Sequence, residues 1–523
     1  MYSIAAPQQI ASAAAVFHGR YGAVTHLAQQ RGVRRQILYR EAHAVVQAVA
    51  GTQAESHRHR LDQRLAELED RLAQAHQQLR HAVVLDADRQ AQFAATAQAL
   101  GVSLASAHAL LRIFLDEDTP SRSTLGRRAQ AAARRATTTL AVLDQFSRPR
   151  ARQVAADEIF AGHRPILMTV EPDSLCWLGA RQADRRDGAE WAREFQQLPA
   201  LEQVTRDGGQ GLRKGLQIVN AQRRQSGQTE VADQEDHFHL LQRARRALRE
   251  VRQQAVRAFR QAEAAQHTFE RDAYRGLRRS PMRSRLATLA WRKAEQAFDR
   301  WTTQEQALAR LQSALRLFTP EGELNTRARA EALMRQAVSA LTGPEWTRAR
   351  RRLAAPEAFT FLDHVGARLA AVPVAAAVRE VVVRAEGLRR QPEELRGENP
   401  RAAALRGVVL LAGVVVAALG AAGPQAVQAV RGVLSQTWRA SSLVEGLNSV
   451  LRMQQARQKR LTPELLALKR LHWNVQVFAA GRRKGQSPYG RLGLVLPGGS
   501  WWDLLKIPPE QIRQQLSALN PAA

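Results

Sequence analysis

Strand-like patterning is confined to one short stretch of this chain, residues 151–206, and that confinement limits the folds open to it. RQVAADEIFAG, HRPILMTVEP and SLCWLGARQ read as strands divided by turn residues at Gly162-His163 and Pro172-Asp173. A helix is expected over 187–198. LEQVTRDGGQGLRKG then reads as a short strand entering a Gly-rich turn and a further helix. Elsewhere the apolar spacing is helical, and a chain rich in Ala, Leu, Arg and Gln with only 5% aromatic residues favours helix. The expectation is a mostly α protein with one limited α/β region, and any chemistry that needs a sheet belongs there.

Residues 1–52 predict a helix-turn-helix. Ala28 lies one helical turn ahead of Gly32, and Leu27, Val33 and Leu38 supply a small core. The second helix carries Arg34, Arg35 and Arg40, suited to phosphates or base edges; the same pattern also suits an ordinary helical hairpin. Residues 53–86 place Leu61, Leu65, Leu68, Leu72 and Leu79 near heptad spacing, a helix for pairing within or between chains. Residues 87–150 predict a second helix-turn-helix around Gly101, followed by a basic helix with Arg122, Arg127, Arg128, Arg134 and Arg135, the preferred recognition helix, with Thr119 as cap and Pro120 at its first position. Residues 221–435 read as helical throughout, and 436–480 as two helices, the first capped by Ser441 or Ser442, the second started by Thr462-Pro463. A basic tail, 481–523, offers Arg482, Arg483 and Lys484 as DNA contacts.

The net charge is +29, from 77 Lys plus Arg against 48 Asp plus Glu, and such an excess repels itself unless a polyanion neutralises it. Double-stranded DNA is the expected partner, because Arg matches phosphate in a bidentate fork. One cysteine, Cys176, rules out a disulfide framework or a cysteine-rich zinc site and fits a reducing, cytoplasmic compartment. The N-terminus lacks the basic start of a secretory signal. The apolar run Gly407 to Gly423 approaches the length of a membrane span, but its Ala/Gly content and flanking Arg401, Arg406 and Arg431 are read as a buried helix, with no membrane partner.

Three acids stand out within this layout. Asp157 lies inside the first strand, Asp207 ends the strand before Gly208-Gly209, and Glu445 sits in the first turn of the helix SSLVEGLNSVLR. Phosphodiester cleavage and strand transfer use two hard divalent cations about 3.5–4 Å apart, which want carboxylate oxygens. A ribonuclease H-like or retroviral-integrase-like fold supplies those acids from a first strand, from a strand after the first helix and from a later helix. Asn448 and Arg452 follow Glu445 on the same helical face and could contact DNA; a helix N-terminus also favours Glu445 for purely structural reasons. Glu158 should point to the opposite sheet face and act as a support residue. Glu171, Asp173, Asp184 and Asp187 rank lower as turn or loop acids. His237 and His239 could bind a metal but should point apart on a helix; His163 should face solvent. Trp177, Trp191 and Trp473 are expected in the core, whereas Trp346 and Trp438 could insert against DNA.

The segments AADEIF, ILMTVEPDSLCW, VTRDGGQGLRKG, SSLVEGLNSVLRMQQARQ and GRRKGQSPYGRLG resemble bacterial insertion-sequence transposases of the DDE superfamily. The resemblance implies a split ribonuclease H-like core (151–220 and 436–480), Asp157, Asp207 and Glu445 as catalytic ligands of two Mg²⁺ or Mn²⁺ ions, and Arg213 and Lys214 among the DNA contacts. It implies cleavage at element ends, strand transfer into target DNA, a homodimer or larger synaptic assembly, and a bacterial, nucleoid-associated location. The chain departs from many members in the long excursion between Asp207 and Glu445, which the resemblance makes a helical insertion, residues 221–435. The alternative is a non-catalytic DNA-binding regulator or an inactivated transposase remnant.

Overall fold

The structure is a computed structural model that describes all residues except 1–6, 51–53, 82–84, 391–397, 440–441, 459–460 and 522–523. The expected cap at Ser441 therefore lies outside the described residues. The chain forms two compact units, Met1–Arg89 and Gln90–Ala523.

The first unit contains α1 (Pro7–Phe17), α2 (Ala23–Arg31), α3 (Arg35–Ala50) and α4 (Ala54–His81). Gly32 closes α2 at φ 63°, a left-handed conformation that glycine adopts without penalty, and Val33 N–H donates to the Ala28 carbonyl at 3.0 Å. The expected core forms in part: Ala28, Leu38 and Ala42 are buried, while Leu27 and Val33 are half-buried. Helix α1 was not anticipated. Its Ser12 hydroxyl donates to Glu41 at 2.6 Å beside the Arg31–Glu41 ion pair at 2.8 Å, so α1 locks the hairpin of α2 and α3.

Helix α5 (Ala87–Ala99) carries the chain into the second unit, which continues with α6 (Leu104–Leu115) and α7 (Arg122–Ser147). Ser121, not Thr119, caps α7: its hydroxyl accepts from Thr124 N–H at 3.2 Å, whereas Thr119 donates its own hydroxyl to the Asp116 carbonyl at 2.7 Å and closes the preceding turn. Helix α7 is basic only outside. Leu125, Ala129, Ala132, Ala133, Ala136, Leu140 and Leu143 bury its inner face. The Gly101 turn between α5 and α6 is itself docked, since Lys469 donates to the carbonyls of Gln98 (2.9 Å) and Ala99 (3.2 Å), and a Cβ at Gly101 would fall 2.3 Å from Gln454.

The sheet has strands β1 (Gln153–Ala161), β2 (Arg164–Glu171), β3 (Cys176–Gln182), β4 (Gln203–Arg206) and β5 (Ala232–Glu235), in the order β3-β2-β1-β4-β5. The first three strands form an antiparallel meander, and β4 and β5 run parallel to β1. Helix α8 (Gly188–Gln196) joins β3 to β4, and α9 (Gln210–Gln225) joins β4 to β5. Asp187 caps α8 by accepting from Glu190 N–H at 3.1 Å. Strand β5 corrects the reading of residues beyond 220 as purely helical. Its sequence, ADQE, has no apolar alternation, because its acids are neutralised by buried Arg206 (2.5 Å to Asp233, 3.3 Å to Glu235) rather than exposed.

Next come α10 (His237–Tyr274), α11 (Ser280–Ala314), α12 (Arg327–Ala340), α13 (Thr347–Leu353), α14 (Thr360–Ala370), α15 (Ala376–Arg390), α16 (Glu398–Leu419) and α17 (Gly423–Ser435). They surround their own apolar core, which includes Val251, Leu311, Met334, Trp346, Phe361 and Val430. Trp346 is fully buried and donates its indole N–H to Gln304 at 2.8 Å, so it is not a wedge for DNA. The apolar run around Gly407 is not a buried helix either: Leu405, Val409, Leu410 and Val414 of α16 are exposed. Among the described residues no helix is long and apolar enough to cross a membrane.

The chain then returns to the sheet with α18 (Ser442–Arg457), α19 (Pro463–Val475), α20 (Pro488–Arg491), α21 (Trp501–Leu504) and α22 (Pro509–Leu519). Val444, Leu447 and Leu451 of α18 pack on one face with Ala155, Ile159, Ile166 and Met168. The other face packs with α7, α8, α9 and α19 around Leu143, Trp191, Phe195, Leu212 and Leu471. Thr462 caps α19 as expected, accepting from Leu465 N–H at 3.2 Å. Helix α19 also covers the edge strand: Asn474 accepts from Trp177 N–H (2.8 Å) and donates to its carbonyl (2.9 Å), which also accepts from Arg470 Nε at 2.6 Å.

Removing the Asn474 amide takes the acceptor from the Trp177 N–H of the edge strand and leaves its carbonyl with Arg470. We expect Asn474→Leu to lower the unfolding free energy by roughly 2–4 kcal/mol, measured by urea denaturation, with loss of the second unit's cooperativity.

Candidate functional site

The parallel strands set the site. Ala156 of β1 pairs with Arg206 of β4, and Arg206 pairs with Glu235 of β5. One residue further along each chain, Asp157, Asp207 and Asp236 succeed one another across the carboxyl edge. Asp157 is buried beneath α18, on the face of Ala155 and Ile159. Its Oδ1 accepts from Glu158 N–H at 2.8 Å, and its Oδ2 accepts from Asn448 Nδ2 at 2.5 Å. Asn448 is wholly buried, so it does not contact DNA as the sequence suggested; its Oδ1 has no hydrogen-bond partner and lies in the same recess.

Asp207 follows the last residue of β4. Its Oδ1 accepts from Gly209 N–H at 2.8 Å, which fixes the turn into α9. A Cβ at Gly208 would fall 1.3 Å from Nη1 of Arg352, so a larger residue here would displace this guanidinium, which donates to the Gly208 carbonyl and to Glu235 at 2.6 Å. Glu445, in the first turn of α18, lies 3.7 Å from Arg452 and 3.5 Å from His239. His239 is 3.6 Å from Asp236, whose Oδ1 accepts from Phe238 N–H at 2.7 Å to cap α10.

Burial pushes the Asp157 carboxyl up to about 7, and the negative charges of Glu445 and Asp207 push it the same way, against the Glu158 N–H and His239. The three acids thus sense one another although they come from strands and a helix far apart in the chain. Among the described residues, however, no three His, Cys, Asp or Glu side chains converge into a set that could hold a metal ion as they stand. Glu445 is turned toward Arg452 and His239. A hard divalent cation still suits the chemistry of these acids, because it would remove the electrostatic penalty on a buried carboxylate flanked by two others.

The remaining expected residues separate clearly. Glu158 points away from Asp157 and pairs with Arg186 at 2.5 Å. Glu171 is consumed by the turn, accepting from Asp173 N–H (3.1 Å) and Ser174 N–H (2.7 Å), and Asp173 pairs with Arg491 at 3.0 Å. His237 faces away from His239, as the helical spacing implied. Its Nε2–H donates to the Ala358 carbonyl at 2.7 Å, and burial pulls its pKa down to about 3. Of the basic candidates, Arg34, Arg35, Arg40, Arg122, Arg127, Arg213, Lys214, Arg482 and Lys484 are exposed, and Arg128 donates to Gln90 at 2.6 Å. Arg483 is engaged instead by the carbonyls of Asp173 (2.7 Å) and Pro172 (2.9 Å), where it anchors the β2–β3 turn. Asp236 and Arg352 went unnoticed in the sequence, and His239 was read there only as a metal candidate beside His237, not as a neighbour of Glu445. Asp236 would have drawn attention had ADQE been seen as a strand, since the residue after a parallel strand faces the site edge.

No protein-family model, no curated protein and no solved structure matches this chain.

Because Asp157 titrates higher in the folded chain than its ordinary 3.8, folding takes up a proton between those values. Its contribution to stability is complete below pH 3.8 and is lost as the pH rises through about 7. In chelator, Asp157→Asn should therefore match the unsubstituted protein near pH 4 and exceed its stability at pH 8 by up to about 4 kcal/mol. Urea denaturation at the two pH values measures the difference; equal stabilities at pH 8 would contradict the buried, proton-holding carboxyl.

Proposed function

We propose that the chain is a DNA transposase of the DDE type, with a ribonuclease H-like core in which Asp157, Asp207 and Glu445 are the catalytic acids. The observation that carries the reading is the placement of three acids at one sheet edge: Asp157 inside β1 beneath α18, Asp207 directly after β4 and Glu445 in the first turn of α18, with the Asp157 carboxyl raised chiefly by burial and further by the charges of Glu445 and Asp207. The strand order and the parallel placement of β4 and β5 beside β1 support the same core. The net charge of +29 supports a nucleic-acid substrate.

In this reading Asp157, Asp207 and Glu445 would hold two Mg²⁺ or Mn²⁺ ions, which supply Lewis-acid stabilisation of phosphodiester oxygens and a more acidic water. Asn448 orients the Asp157 carboxylate through its Nδ2–H. The Gly209 N–H keeps the Asp207 carboxylate at the mouth of α9. His239 and Arg452 hold Glu445 in an alternative pairing from which it must turn to join the other two acids. Arg213 and Lys214, exposed on α9, the helix that starts at the acidic edge, would meet phosphates. The reaction would be hydrolysis at an element end, followed by in-line attack of the freed 3′-hydroxyl on target DNA. Two ends must be brought together, which calls for a homodimer or larger assembly.

A second reading, a non-catalytic DNA-binding remnant, is favoured by one observation: Glu445 is engaged by Arg452 and His239 rather than gathered with Asp157 and Asp207.

Incubating the full chain with supercoiled plasmid and Mg²⁺ or Mn²⁺ separates the two. Nicking that needs the divalent ion and falls by at least about a thousandfold in Asp207→Asn and in Glu445→Gln, with DNA affinity retained, supports the enzyme. Unimpaired nicking by Asp207→Asn rejects the triad, and tight binding without any nicking leaves the remnant. For the DNA-binding arm, replacing Arg34, Arg35 and Arg40 by Ala should weaken duplex binding. It should also flatten the slope of log K against log salt by about one for each phosphate the arm no longer neutralises. An unchanged slope would remove these residues from the interface.

A further inference from the structure

Helix α4 is 28 residues long, roughly 42 Å, and leaves Leu61, Leu65, Leu68 and Leu72 exposed at 43–57%. These four leucines fall alternately at the d and a positions of one heptad frame, and Ala75 and Leu79 continue it in the sequence. The stripe is too regular for a solvated face, and an isolated amphipathic helix leaves it uncovered. The flanking charges identify what covers it. In this frame the e positions are Asp62, Glu69 and His76, and the g positions include Arg64 and Arg71. Acids line one flank of the leucines and arginines the other.

We propose that α4 is the pairing surface for a second copy of this chain, forming a parallel, in-register two-stranded coiled coil. In that orientation g of one helix meets e of the following heptad on the other, so Arg64 faces Glu69 of the second copy on both sides of the seam. An antiparallel pair would set arginine against arginine and acid against acid, which costs stability. Register and direction therefore follow from the chain's own charges. The inference goes beyond the transposase reading, which asks for an assembly but not for its surface, and sizing the protein without DNA or metal tests it apart from that reading.

Sedimentation of the full chain should give a dimer. Leu65→Asp combined with Leu72→Asp, both at exposed positions, should raise the dissociation constant at least about a hundredfold while leaving thermal unfolding of the rest unchanged. Leu61→Cys reports direction, since the one native cysteine, Cys176, is buried. Oxidation should link two copies at position 61. A monomeric unsubstituted chain, or a dimer insensitive to the paired Asp substitutions, overturns the proposal. So does a dimer in which Leu61→Cys links only to Leu72→Cys or Leu79→Cys in a mixture, the antiparallel outcome.

Discussion

Everything at the acidic edge depends on α18 lying across β1. Val444, Leu447 and Leu451 bury themselves against Ala155, Ile159, Ile166 and Met168, and three such side chains contribute roughly 5–9 kcal/mol. That is enough to offset the cost of covering one carboxyl, a few kcal/mol at most. The covering helix also brings the Asn448 amide, whose Nδ2–H reaches Asp157 at 2.5 Å and whose Oδ1 remains available. An amide can turn to present either a donor or an acceptor. The same recess therefore suits Asp157 ionised or protonated, and the carboxyl need not be expelled to solvent to be accommodated.

The strands, the acids and the helix that carries Glu445 were legible because each leaves a local mark. RPILMTVE and CWLGARQ have β-rich, turn-bounded patterns, Asp207 precedes two glycines, and Glu445 opens an amphipathic helix. Their mutual placement had no such mark except through resemblance. Strand β5 was invisible because its stability comes from Arg206, a buried cation from a neighbouring strand, and not from apolar alternation. Arg352, and the contact of His239 with Glu445, were invisible for a similar reason. Each meets the site across a long stretch of sequence, and an arginine or histidine on a charged helix looks like any other.

Two misreadings share a cause of the opposite kind. The sequence made α16 a buried helix because its residues are apolar, and made Arg483 a DNA contact because it sits in a basic tail. Composition says what a side chain can do, whereas the neighbours decide what it does. Leu405, Val409 and Leu410 found no partner among the described residues that hides them, and Arg483 found two carbonyls at the end of a hairpin.

The long helical excursion is joined to the acidic edge too closely to be a passenger. It starts at Asp236, in the same row as Asp157 and Asp207, and its first helix places His239 between Asp236 and Glu445. From its middle, Arg352 lies where a Cβ at 208 would be and is held there by Glu235. A shift of α10 or α13 must therefore move a group in contact with the turn after Asp207 or with Glu445 itself. On the proposed transposase reading, a phosphate backbone gripped by the helical segment would compete for Arg352 or draw His239 away. The acids that now face separate partners would then be freed to face one another.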